Sequence, residues 1–109
     1  MNNLPEGITQ DMVDAAKEKH AKVKLATLYD GDGNEIGNVL VGTPSAQTIN
    51  QFERFVDRDP GRAKKLLMKN TLCSHMDIAD GAQNTELFNA AFSACAEMLP
   101  VGKAVLKNL

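Results

Sequence analysis

A chain of 109 residues is the size of one domain, and 43% apolar with 24% charged side chains of both signs is a globular composition, neither disordered nor fibrous. The net charge of -2 supplies no field to hold a polyanion, because nucleic-acid binding draws most of its affinity from many Lys and Arg contacts to phosphate. No stretch approaches the roughly 18 apolar residues of a membrane span, and Met1-Asn2-Asn3-Leu4-Pro5-Glu6 lacks the basic start and apolar run of a signal peptide. The expectation is therefore a single cytoplasmic domain over residues 1–109, with neither nucleic acid nor membrane as partner and with Cys73 and Cys95 kept as thiols.

Residues 1–8 read as a flexible N-terminal tail. Thr9 is a plausible N-cap for a helix over residues 9–20, in which Met12, Val13 and Ala16 form one apolar stripe. Asp11 and Asp14 at its start and Lys17, Lys19 and His20 at its end suit the helix dipole, with His20 facing solvent. From Lys22 the period changes to two, placing Val23, Leu25, Thr27 and Tyr29 on one face of a strand and Lys24, Ala26 and Leu28 on the other. Asp30-Gly31-Asp32-Gly33-Asn34 is a turn, and Ile36 to Val41 returns as the second strand of a β-hairpin, ended by Pro44.

Ser45 caps a helix carrying Ile49, Phe52, Phe55 and Val56 at helical spacing. Asp59 and Pro60 then serve as cap and first residue of the next, which turns Ala63, Leu66, Leu67 and Leu72 inward and Arg62, Lys64, Lys65 and Lys69 to solvent. A loop is expected from about Ser74 to Gln83. Asn84 or Thr85 caps a further helix whose Leu87, Phe88, Ala91, Phe92, Cys95, Met98 and Leu99 spread over a broad face, and Val101, Val105, Leu106 and Leu109 suggest a last short helix. The fold class is α+β: one antiparallel hairpin packed with a small helical bundle, in the order helix, hairpin, then three to four helices. With Phe52, Phe55, Phe88, Phe92 and Tyr29 the only aromatics, the core must be filled mainly by Leu, Val, Ile, Met and Ala.

Three patterns resemble chemistry and fall short of it. The Asp30 to Asn34 loop begins like a calcium loop, but Glu35 stands where such a loop needs Gly and Val41 where it needs a bidentate Glu. Cys73, His75, Asp77, Asp80 and Cys95 lack the paired short repeats of a structural zinc site, and sequence-adjacent Cys and His rarely form a nucleophile pair. Lys17 to Lys24 is locally basic but has no aromatic interleaved to stack on bases. Neither catalytic residues nor a metal or cofactor site is expected, so the reading is a binding protein and not an enzyme. The expected partner-binding residues are Leu87, Phe88, Ala91, Phe92 and Met98, on an apolar face broader than one small core needs.

The run Lys17 to Lys24 entering a strand, the Asp-Gly turn, Gly42-Thr43-Pro44-Ser45 before the Phe-bearing helix, Asp59-Pro60 ahead of Lys65-Leu66-Leu67-Met68-Lys69-Asn70, and Gly102 to Leu109 together resemble the tail assembly chaperones of phages and prophages. The resemblance spans roughly Ala16 to Leu109; Leu72-Cys73 stand where such proteins often carry an aromatic. It implies a non-enzymatic protein of the host cytoplasm that coats the helical tape measure protein, or another tail component, until tail tube protein polymerises around it. The broad apolar face, where exposed, should bury against such a partner or against a second copy in a homo-oligomer. The rival implication is a structural virion component, such as a tail tube or head-tail completion protein.

Overall fold

Local signals set each element where the pattern places it. The computed structural model describes residues 4–81, 84–100 and 104–109. Helix α1 (Gln10–Lys19) starts at Thr9, whose hydroxyl accepts from Met12 N–H at 3.2 Å. Strands β1 (Val23–Tyr29) and β2 (Glu35–Gly42) form an antiparallel hairpin, then helices α2 (Ala46–Phe55), α3 (Pro60–Thr71) and α4 (Thr85–Glu97) follow, capped by Ser45, Asp59 and Asn84. The architecture is α+β, with the hairpin lying between α1 and the later helices in chain order. Among the described residues no helix is long and apolar enough to cross a membrane.

The two strands have different environments. In β2, Val39, Leu40, Val41 and Gly42 are all buried, which needs cover on both faces. Val39 and Val41 join Leu28, Leu67, Met68, Leu72, Ala91 and Cys95 in the main core, on the face shared with α3 and α4. Leu40 and Gly42 point the other way by strand alternation, toward α1, which packs on both strands with Ala16 buried. One edge of β2 pairs with β1; the other is sealed by the chain leaving α3. There Val41 bridges Leu72, Cys73 N–H donates to Leu40 O at 2.8 Å, and Leu40 N–H donates to Ser74 Oγ at 2.9 Å. Strand β1 buries only Leu28 fully and leaves Leu25 and Tyr29 exposed. The ladder slips by one at Leu28/Tyr29, so Leu28 faces Gly37 and Tyr29 faces Glu35, leaving Ile36 unopposed.

Several expectations need correction. Leu4 and Pro5 are half-buried and Ile8 is buried, with Ile8 N–H bonded to Pro5 O, so residues 4–8 are a packed turn and not a free tail; residues 1–3 lie outside the described set. His20 does not face solvent: its ring lies against Gly42 and its Nδ1 is 2.9 Å from Thr43 O, because a residue without a side chain leaves room for the imidazole. Leu66 is half-buried, and α3 instead buries Met68 and Thr71 with Ala63 and Leu67. The expected Ser74 to Gln83 loop contains a 3₁₀ helix (Met76–Asp80), entered through His75 in the left-handed region at φ 51°. Residues 104–109 form no helix and are exposed, since nothing there packs against an apolar stripe; Val101 lies outside the described residues.

Two buried hydroxyls make opposite predictions. Ser74 Oγ caps the Leu40 amide, so Ser74→Ala leaves a buried N–H unpaired and should lower stability by about 1–3 kcal/mol. Thr71 Oγ1 is buried with no hydrogen-bond partner, so Thr71→Val should raise stability by about 1 kcal/mol. Urea unfolding of both variants, with the exposed Ser93→Ala as reference, checks the two signs.

Candidate partner-binding surface

The chemically suggestive residues come to rest in structural roles. Asp30 is consumed by its own turn: its Oδ1 accepts from the amides of Asp32 and Asn34, both at 2.9 Å. The Asn34 amide bond is the largest of the effects that hold the Asp30 carboxyl below its usual range. Gly33, at φ 84°, provides the left-handed residue that closes the loop. His75 Nδ1 sits 2.9 Å from Ser74 Oγ, so its ring engages the hydroxyl that caps Leu40. Burial pushes the Cys73 thiol up, partly opposed by the charge of Lys19, and burial raises Cys95 to about 12. Both thiols are therefore protonated and poorly nucleophilic at neutral pH. Among the described residues no group of three or more His, Cys, Asp or Glu side chains is arranged to hold a metal ion.

The five residues expected to bind a partner divide between core and surface. Ala91 and Met98 are buried in the main core, while Leu87, Phe88 and Phe92 pack against it and remain half-buried. Leu87 reaches toward Gly37 in β2, and Phe88 packs at Gly81 beyond the 3₁₀ helix. Phe92 meets Phe52 of α2, with ring centroids 6.4 Å apart and a tilt of 35°. Lys64 Nζ stands 5.3 Å from the Phe92 centroid and Arg62 Cζ 4.3 Å from that of Phe55, so the rings of this helical layer carry cations on their faces. All four phenylalanines keep part of their surface accessible. The sealed core is aliphatic, as the scarcity of aromatics requires.

A second surface was not foreseen from the sequence. Between β1 and α4 runs a groove of about 550 Å³, lined by Lys24 to Tyr29 on the strand side and by Ala90, Ser93, Ala94, Glu97 and Met98 on the helix side. Ala90, Ser93 and Ala94 are small residues, and larger side chains at these positions would fill the groove. The available signal was the count of strands, since a hairpin whose second strand is buried must leave an edge of the first strand unpaired.

No family model matches the chain, and no curated protein or solved structure matches it.

The Asp30 shift sets a pH dependence. A depressed folded-state pKa gives stability that is present above the ordinary value of 3.8 and lost as pH falls through the folded value. Thermal unfolding followed over about pH 2–5 should show this acid loss reduced in Asp30→Asn. For the thiols, a disulfide exchange reagent at pH 8 should modify Cys73 slowly and Cys95 only as the chain unfolds, as read by mass spectrometry of the labelled peptides.

Proposed function

We propose that this chain is a non-enzymatic tail assembly chaperone of phages or prophages, which binds the helical tape measure protein in the host cytoplasm until the tail tube assembles. The observation that carries the reading is the aromatic layer: Phe52, Phe55, Phe88 and Phe92 are all half-buried, although aromatic rings are few and a sealed core was available to take them. Half-open rings flanked by Arg62 and Lys64 suit repeated, reversible contact with the apolar stripe and acidic flanks of an amphipathic helix. Many copies acting along a long helix need only modest affinity at each contact. The resemblance across Ala16 to Leu109 supplies the identity of that helix. The contact uses Phe88 and Phe92 with Leu87 at one side, while Ala91 and Met98 support it from the core.

Co-expression with the tape measure protein encoded nearby tests the reading. The wild-type chain should keep the tape measure soluble and co-purify with it. Phe88→Ala and Phe92→Ala, each shown to be folded by circular dichroism, should weaken the complex by about 2 kcal/mol, roughly thirtyfold in affinity. A tape measure that precipitates with the wild type counts against the chaperone. Equal solubilisation by folded variants counts against this surface. Recovery of the chain in purified virions would favour a structural virion component instead.

A further inference from the structure

The described residues leave seven large apolar side chains exposed, and five of them lie on two segments: Leu25 (44%) and Tyr29 (54%) on β1, and Val105 (87%), Leu106 (93%) and Leu109 within residues 104–109. The first segment also has an unpaired backbone edge, and the phase of the ladder shows which groups face it. Thr43 N–H donates to Lys22 O at 3.0 Å, which makes Lys22 and Thr43 a hydrogen-bonded pair. By alternation Lys24, Ala26 and Leu28 bond to β2, while the amides and carbonyls of Val23, Leu25 and Thr27 point away from it. Leu40, opposite Leu25, confirms the phase, since its own backbone groups bond outward to Cys73 and Ser74.

We propose that residues 104–109 of this same chain add to the open edge of β1 as a third strand, filling the groove beneath α4. The path of the chain favours it. Gly31 N–H donates to Glu86 Oε2 at 3.1 Å, so α4 begins at the hairpin turn and runs back along β1, ending at the Lys24 end of the groove. A segment returning from there runs parallel to β1 toward Tyr29. Nine residues from Val101 to Leu109 reach about 30 Å, against about 23 Å for the seven residues of β1. Alternation then satisfies both faces: Leu106 turns to Ala26, Leu28, Ala90 and Ala94, and Val105 and Leu109 fall beside Leu25 and Tyr29. Addition within one chain is favoured by its high effective concentration. Pairing of β1 with β1 of a second copy in the register centred on Val23 is opposed by Lys22 and Lys24, which would face one another. The inference stands independently of the chaperone reading.

Amide hydrogen exchange followed by NMR tests it, comparing the full chain with a chain ending at Lys103 and with the full-length variant Leu106→Asp. Residues 104–109 lie outside the helices and the main core cluster, so both variants should stay folded and keep the wild-type helical circular dichroism signal. In the full chain the amides of Val23, Leu25 and Thr27 should be protected about tenfold or more over both variants, independently of protein concentration, while those of Lys24 and Ala26 change little. Equal exchange in all three proteins would overturn the proposal. Protection that grows with concentration, together with a dimer in light scattering, would overturn it in favour of a second copy on the same edge.

Discussion

Leu40 has its side chain in the interior, one neighbour strand on one side and its two backbone polar groups facing the other, so burial of β2 is permitted only if something satisfies those groups. The end of α3 does this with Cys73 N–H and Ser74 Oγ. The rest of the arrangement depends on that closure. Because residues 72–74 must run along β2, α3 is anchored at its C-terminal end, and Leu67, Met68 and Leu72 are brought onto Val39 and Val41. His75 must then leave at a left-handed angle, which starts the 3₁₀ helix and hands the chain to α4. An unpaired buried amide costs about 1–3 kcal/mol, a large share of the 5–15 kcal/mol that typically holds a domain together.

The two strands of one hairpin thus differ in kind. The second half of β2, Val39 to Gly42, is buried and its outer edge is closed at Leu40 and Val41, while β1 is half-enclosed, with one polar edge and one apolar face open. Function is expected at the elements that the core does not consume, and here these are the outer edge of β1, the groove it shares with α4, and the rings of α2 and α4. The titratable groups point the same way: the thiols are held protonated by burial, Asp30 is occupied by its turn, and both histidines are placed against backbone or a hydroxyl.

What the sequence made legible was chiefly local. Each helix cap, the hairpin and its Asp-Gly turn follow from interactions spanning at most a few residues, so Thr9, Ser45 and Asp59 announced themselves and the last cap was narrowed to Asn84 or Thr85, of which the structure uses Asn84. The aliphatic core was legible too, because so few aromatics left no other filling. Long-range contacts were hidden: nothing in the string Cys73-Ser74-His75 shows that Ser74 serves a backbone amide 34 residues away. The same holds for His20, whose place is made by the bare Cα of Gly42. The broad face of α4 was visible, but periodicity cannot divide it between core and surface. That division depends on which neighbours arrive, and it put Ala91 and Met98 inside while leaving Phe88 and Phe92 half-open.

Tyr29 is the chain's one tyrosine, and there is no tryptophan. It stands exposed at the end of β1, opposite Glu35 and beside the groove. Tyrosine emission from the native chain therefore originates at a single point, and that point is the margin of the least enclosed strand. Whatever comes to lie against this margin, a segment of the same chain or a foreign helix, must change the solvation of that phenol. The fold carries its own optical reporter, on an exposed side chain at the rim of the groove.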